Sequence, residues 1–383
     1  MYKQIYSLTL ILTAIIFPCC QNIQKDNCPT ILVDVQKTGS IDLNQLSDLY
    51  DIVALETTEK NYIKQVEQVF LIDTFIVVWD SKSNEVFTFN NKGKYLYSIG
   101  SKGQGPEQYG KIEDVYVDYI NKTISILDNT KQTAISYNIQ GNFIKADKIP
   151  FFAYAFKPTK NGYWLLNYAQ NKDRNILIYM DKETGNNSKG YLKSDFNLTL
   201  MNTNNFIEDS NGNTFFHFPN ENTIYLLDEH SLQPYLHFDF GKGANPFKDI
   251  NTQAYQDFLK MNKYIGGINR VYIYKNHLFF SFSKFNGINN NIEQFNTYVT
   301  LSDLKVTNYN YSIKHSNKIG VSPLPDIVGL SKGKLVYMIN PNILPPKLIN
   351  KINDSKANYN LSDLEINNDS NPILIIYNLD KKH

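Results

Sequence analysis

Arginine is nearly absent from this chain: Arg174 and Arg270 stand against 36 lysines. Basic and acidic side chains balance at 38 and 37, for a formal net charge of +1. A surface that follows a phosphate backbone needs a clear basic excess and is usually built with arginine forks, so nucleic acid is not an expected partner. Cysteine is almost as scarce. Cys19 and Cys20 adjoin, Cys28 follows, and none occurs in the remaining 355 residues (383 minus 28). That leaves no disulfide framework and no cysteine-based metal site, so a hydrophobic core must hold the fold. No apolar run reaches the roughly 20 residues that a membrane-spanning helix requires.

What the sequence does have is material for strands. At 383 residues and 42% hydrophobic it can bury a large core, which excludes disorder and a collagen-like architecture. Aromatics reach 14% through 27 tyrosines and 23 phenylalanines, and there are 48 asparagines. That mixture suits many short strands joined by turns better than long helices.

The first twenty residues read as an address. Lys3 supplies a short positive region, Leu8 to Phe17 is a compact apolar run, and Pro18-Cys19-Cys20 ends it, which is signal-peptide order. The cysteine pair resembles the lipobox of bacterial lipoproteins, in which a cysteine is diacylated and becomes the new first residue. Cys20 is the better candidate because small Cys19 precedes it, whereas Pro18 precedes Cys19. Ordinary secretion with cleavage near this point is the alternative. The reading is a signal peptide over 1–19 and a lipid-anchored tether over 20–30, placing the protein in the cell envelope with the membrane as a partner through its N-terminal lipid.

A repeat runs through the rest. Shifting the sequence by 48 residues superimposes Trp79-Asp80 on Leu127-Asp128, Phe87 on Ile135, Phe89 on Tyr137, Asn90 on Asn138 and Gly93 on Gly141. The centre of each unit is a seven-residue string such as Asn84 to Asn90, and related strings start at 132, 175, 222, 296 and 372, giving intervals of 48, 43, 47, 74 and 76. Each has an upstream partner strand: Phe75 to Trp79, Thr123 to Leu127, Gly162 to Leu166, Thr214 to Phe218, His277 to Phe282 and Lys334 to Met338. A hairpin with flanking strands every ~45 residues is the signature of a propeller blade.

Six units therefore predict an all-β fold, a six-bladed β-propeller occupying 31–383 as one domain, with insertions near 241–268 and 340–370. A short amphipathic helix is expected over Asp249 to Tyr264 and a second at Lys347 to Ile352. A ring of sheets must close or expose strand edges. The last string ends near the C-terminus, so an N-terminal strand, Ile31 to Val35 or Ile52 to Leu55, should complete the final blade.

The segment Ile99 to Tyr109, then Asp114-Val-Tyr-Val-Asp118 and the closing Asn371-Pro-Ile-Leu-Ile375, resemble the six-bladed β-propeller lipoproteins of gut Bacteroidota. The resemblance runs from about Ile41 to Leu379. It implies a propeller related in shape to the NHL-repeat and TolB-like groups and an envelope location, and it carries no established reaction. In this chain Gln108 stands between the acid Glu107 and the aromatic Tyr109, which are often adjacent in that family.

The most distinctive local feature is the glycine-rich stretch at 100 to 110. Gly100, Gly103, Gly105 and Gly110 offer positive-φ positions and Pro106 stiffens the bend. A phosphate-cradling loop would need a lysine followed by Ser or Thr opening a helix, and here a strand follows. The stretch reads first as a crossover between blades packed by its own turn chemistry. As a ligand-contacting loop it would present Lys102, Gln104, Glu107 and Tyr109. Asp80 and Asp128 recur at strand ends, where Asp commonly opens a turn by accepting backbone amides. The six histidines show no ligand spacing, so no metal and no other cofactor is expected, and His217, on an apolar strand, reads as an interior residue. No Gly-x-Ser-x-Gly elbow occurs and no catalytic residue is assigned.

Two functions remain. The favoured one is a non-enzymatic binding or scaffold module that holds a protein or glycan ligand on a loop face. The alternative is a hydrolase or lyase with a divalent metal held in the central channel by side chains from several blades, which would require three or more convergent carboxylates or imidazoles.

Overall fold

The computed structural model describes residues 28–37, 39, 50–183, 188–194, 204–218, 221–241, 263–286, 291–309, 327–344, 350 and 366–380. Cys19, Cys20 and the apolar run before them lie outside these residues, as do most of the two expected helices.

Six antiparallel sheets follow one another along the chain. Blade one is β3 (Val66–Ile72), β4 (Phe75–Asp80), β5 (Glu85–Asn90) and β6 (Tyr95–Ser98). Blade two is β7 (Asp114–Asp118), β8 (Thr123–Asp128), β9 (Thr133–Asn138) and β10 (Phe143–Lys148). Blade three is β11 (Ala155–Pro158), β12 (Gly162–Leu166), β13 (Asn175–Asp181) and β14 (Ser188–Lys193). Blade four is β15 (Phe206–Glu208), β16 (Thr214–Phe216), β17 (Thr223–Leu227) and β18 (Leu232–Asp239). Blade five is β19 (Lys263–Tyr274), β20 (His277–Asn286), β21 (Asn291–Thr300) and β22 (Lys305–Tyr309). Blade six takes β23 (Ile327–Ser331), β24 (Lys334–Ile339) and β25 (Ile373–Asn378) from the C-terminal end. Its fourth strand is β2 (Tyr50–Ala54), which pairs antiparallel with β25 from Tyr50 opposite Tyr377 to Ala54 opposite Ile373. The protein is a six-bladed β-propeller closed by an N-terminal strand.

Of the two closing segments expected, Ile52 to Leu55 is the one used. The other serves a different blade: β1 (Thr30–Leu32) adds a parallel fifth strand outside β18. The expected insertion over 241–268 also ends early, because Lys263 to Ile268 already belong to β19, which bulges around Gly267 at φ 89°.

The blades stack because their middle strands are buried on both faces. Successive side chains of a strand point to opposite sides. In β4, Val77 and Trp79 pack with Val115, Ile124 and Ile135 of blade two, while Ile76 and Val78 pack with Val336 and Leu374 of blade six. In β25, Ile375 and Tyr377 meet Tyr272 and Phe279 of blade five, and Leu374 and Ile376 turn toward blade one. The core is thus a ring of layers between neighbouring sheets, and the six innermost strands surround a channel.

Candidate functional site

In a four-stranded antiparallel blade, the turn between the second and third strands and the connection to the next blade emerge on the same side. Hydrogen bonds bind these segments into one loop face. Asp80 ends β4 and accepts the N–H groups of Lys64 at 2.7 Å and Gln65 at 3.1 Å, across the entry to blade one, and those of Lys82 and Ser83 in its own turn. Asp128 repeats this in blade two, accepting from Gly110 at 2.6 Å and Thr130 at 2.8 Å. Both carboxylates are buried and spent on backbone amides, so they act as turn fasteners. The long connections between β18 and β19 and between β24 and β25 leave and rejoin the blades on this face.

The 100 to 110 stretch is a connection held from within and from blade two. Gly103 donates to the Tyr109 carbonyl at 2.9 Å, and the Gln108 side chain folds back to accept the Gly105 N–H at 2.9 Å. Lys131 donates to the carbonyls of Gly105 at 2.7 Å and Gln108 at 2.6 Å, and the Tyr137 hydroxyl donates to that of Glu107 at 2.9 Å. Of the four glycines expected at positive φ, Gly100 alone adopts it, at 65°. Gly103 and Gly105 instead leave room for the Gln108 side chain, whose Oε1 a Cβ would approach to 2.2 Å and 3.0 Å respectively. Lys102, Gln104 and Glu107 are exposed on the loop face. Tyr109 is not a contacting side chain: it is 1% exposed and packs in the core between blades one and two. Its aromatic ring was worth more to that layer than to the surface.

The channel has its own constellation. A cavity of about 100 Å³ is lined from all six inner strands, including Gln68, Asp114, Tyr116, Lys157, Glu208 and Tyr272. Lys157, 7% exposed at its side chain, pairs with Glu208 of the next blade and donates to the Tyr116 hydroxyl at 2.7 Å. Burial holds the Lys157 ammonium below the usual lysine range although Glu208 opposes the shift. Arg270 and Glu67 approach to 3.9 Å on the other side of the ring. Asp114 is half-buried at the channel wall, and desolvation pushes its carboxyl up to about 8, against the N–H it accepts from Phe156 at 2.9 Å. Desolvation thereby favours its neutral form.

The ionisable side chains lining this cavity include the Lys157–Glu208 pair and Asp114. Among the described residues no three His, Cys, Asp or Glu side chains come together to hold a metal. The cavity is also small against the ~300–1,000 Å³ of ordinary small-molecule sites. His217 is fully buried, its Nε2–H donating to the Asn204 carbonyl at 3.0 Å, with its pKa lowered to about 4 by burial. It is an interior residue beside the entry to blade four.

The loop face carries one feature that residue spacing did not reveal. Phe152, between β10 and β11, is 48% exposed. Its ring meets Tyr154 at 4.9 Å, and Tyr154 meets Tyr168 at 5.2 Å, both edge to face. The backbone beneath is pinned from two turns. Asn129 donates to the Ala153 carbonyl at 2.7 Å and accepts its N–H at 3.1 Å, and Asn167 donates to the Phe152 carbonyl at 2.5 Å. Tyr168 and Ala169 both stand at positive φ, 51° and 60°, a strained pair for non-glycine residues. The Lys111–Glu113 pair lies near enough for both charges to act on the Tyr154 phenol.

The whole architecture has relatives among solved structures. A protein of Bacteroides fragilis described as exported superimposes with a TM-score of 0.70 at 18% identity, covering 91% of this chain and 98% of its own. A member of the DUF4221 family from Bacteroides vulgatus gives 0.49 at 11% identity, covering 86% and 96%. The extracellular domain of a hybrid two-component system from B. thetaiotaomicron gives 0.40 at 8% identity, covering 76% of this chain and 32% of that one. These likenesses concern the fold. No curated protein matches the sequence. Residues 28–378, nearly all of the propeller, match the family described as Domain of unknown function (DUF4934), and the chain belongs to that family.

Proposed function

We propose that the protein is a binding or scaffold module, a lipid-anchored propeller of the cell envelope that holds a protein or glycan ligand on its loop face. The observation that carries this reading is Phe152. An aromatic ring half in solvent, on a backbone fixed by two asparagine side chains, is prepared for contact at little entropic cost. Exposed Lys102, Gln104 and Glu107 lie on the same face and would supply polar contacts around it. The channel, small and with its lysine already paired, gives less purchase to a ligand. Lipidation at Cys20 and export fit the order of the first twenty residues, and the Bacteroides fragilis neighbour described as exported supports the envelope location. A shape related to the NHL-repeat and TolB-like groups is consistent with the six-sheet ring.

The test is capture of partners from detergent-solubilised envelope of the producing cells, with wild type and Phe152→Ala side by side. Phe152→Ala should lose the captured ligand while its stability stays within about 1 kcal/mol of wild type, as expected for an exposed ring. Retention of the same ligand at the same yield by Phe152→Ala, and by Gln104→Ala with Glu107→Ala, would overturn the loop-face assignment.

A further inference from the structure

Where the outer edge of blade two meets blade three, the rim opens into a cleft of about 330 Å³. The end of β10 and the chain after it contribute Ala146, Asp147, Lys148 and Pro150; β12 contributes Tyr163, the end of β13 Met180 and the turn after it Lys182. This is three times the volume of the channel cavity and within the range of small-molecule sites.

The charges in it do not cancel. Asp147 is already engaged, by Lys145 at 2.5 Å and by the Tyr163 hydroxyl. Lys182 spends its ammonium on the backbone carbonyls of Thr159 and, at 3.4 Å, Lys160, and it lies 4.8 Å from the centre of the Tyr163 ring. Lys148 is exposed at the edge. Among the lining residues two ammonium groups, Lys148 and Lys182, thus face one carboxylate, and the acids flanking Lys182 in sequence, Asp181 and Glu183, do not line the cleft. Burial and the nearby Lys145 ammonium both hold Lys182 below the usual lysine range, a strain that a bound anion would relieve.

Beside that positive wall lies an apolar one made of Ala146, Pro150, Met180 and the Tyr163 ring. We infer that this cleft binds a small organic anion, one anionic head on a short apolar body, with the head between Lys148 and Lys182 and the body against Met180 and Pro150. A bare inorganic anion would leave the apolar wall wet. A neutral molecule of the same shape would leave the lysines without a counter-charge. The site is independent of the loop face and of whatever binds there.

Titration calorimetry of the mature chain with three probes tests this. Hexanoate supplies head and body, hexanol the body alone, and inorganic phosphate the charge alone. Hexanoate should bind more tightly than either control, and Lys182→Gln should weaken it about tenfold or more, the worth of a charge-assisted hydrogen bond. Lys148→Glu, a change at an exposed position that leaves the fold intact, should weaken it as well, while Lys102→Gln on the loop face should not. The inference is overturned if hexanoate shows no binding to wild type, if phosphate binds as tightly as hexanoate, or if neither Lys148→Glu nor Lys182→Gln alters hexanoate affinity.

Discussion

Asn371 and Glu56 stand 315 positions apart, and the Asn371 side-chain amide donates to the Glu56 carbonyl at 2.8 Å. The same amide reaches the Asn61 carbonyl at 2.8 Å, and its oxygen accepts the Ile63 N–H at 2.8 Å. One side chain, 1% exposed, therefore ties the start of β25 to the segment that runs from β2 into blade one. The ring is closed by strand pairing and locked by an asparagine.

Asn371→Ala should accordingly cost about 2–4 kcal/mol, because it removes this partner from the Asn61 carbonyl and the Ile63 N–H at once, while the Glu56 carbonyl keeps the Asn61 side-chain amide. Removing Asn371 to His383 takes the third strand from blade six and should abolish a single cooperative transition. Urea denaturation followed by circular dichroism reads both. A truncated chain that unfolds like the intact one would show that closure does not depend on β25.

The Lys157–Glu208 pair yields an ordering of two substitutions. Glu208→Gln leaves a buried ammonium with the Tyr116 hydroxyl and the more distant Asp118 carboxylate, whereas Lys157→Met removes that charge and leaves a carboxylate already 36% exposed, which water can solvate. Glu208→Gln should therefore cost more, about 1–3 kcal/mol against under ~1 kcal/mol for Lys157→Met, with the first figure reduced by the solvent access of Glu208. Equal or reversed costs in chemical denaturation would mean that the pair is not the counter-charge on which Lys157 depends.

These pairs mark the limit of what the sequence made legible. The second and third strands of most blades could be placed to within a residue or two, since burial on both faces turns them into short continuous apolar runs bounded by turn residues. Blade five escaped that logic. The string expected at Asn296 to Ser302 is only the end of β21, which begins at Asn291. Its first half pairs with β20 through polar side chains, Lys284 with Glu293 at 3.4 Å and Ser283 with Gln294 at 3.0 Å, so the ladder continues where the hydrophobic signal stops. The channel was illegible for a different reason: Lys157 and Glu208 are 51 residues apart and no local pattern links them. In the 100 to 110 loop, glycine spacing signalled a tight turn correctly, but nothing in a linear reading tells that Gln108 folds inward and Tyr109 sinks into the core.

For that loop, the sensitive position is Gly100. Its φ of +65° disfavours any side chain, and a Cβ there would lie 2.6 Å from the Tyr137 ring. Gly100→Ala should destabilise by about 2–4 kcal/mol through backbone strain and overpacking combined. The double change Gln104→Ala with Glu107→Ala should cost under about 1 kcal/mol, since both side chains point to solvent. Melting temperatures of the two variants decide the matter. A tolerant Gly100→Ala would mean that the crossover can rearrange without disturbing Tyr137.

Stability should also carry a pH signature with two opposed parts. Asp114, ordinarily titrating at 3.8, is raised to about 8 in the fold by burial. Between those values the folded protein keeps a proton that the unfolded chain releases, so this contribution is complete below 3.8 and is lost as pH rises through 8. His217 moves the other way, from 6.5 down to about 4, again by burial. Its contribution is complete above 6.5 and is lost as pH falls toward 4. From pH 4 to 6.5 the two oppose each other, and from 6.5 to 8 Asp114 acts alone. Wild type should therefore lose stability across 6.5 to 8, and Asp114→Asn, which retains an acceptor for the Phe156 N–H, should be flat there. His217→Gln should keep that upper limb and, freed of the opposing imidazole contribution, should decline from pH 4 onward. Denaturant midpoints measured at half-unit intervals would expose the two limbs. An Asp114→Asn variant that still weakens between 6.5 and 8 as wild type does would assign the limb to another group.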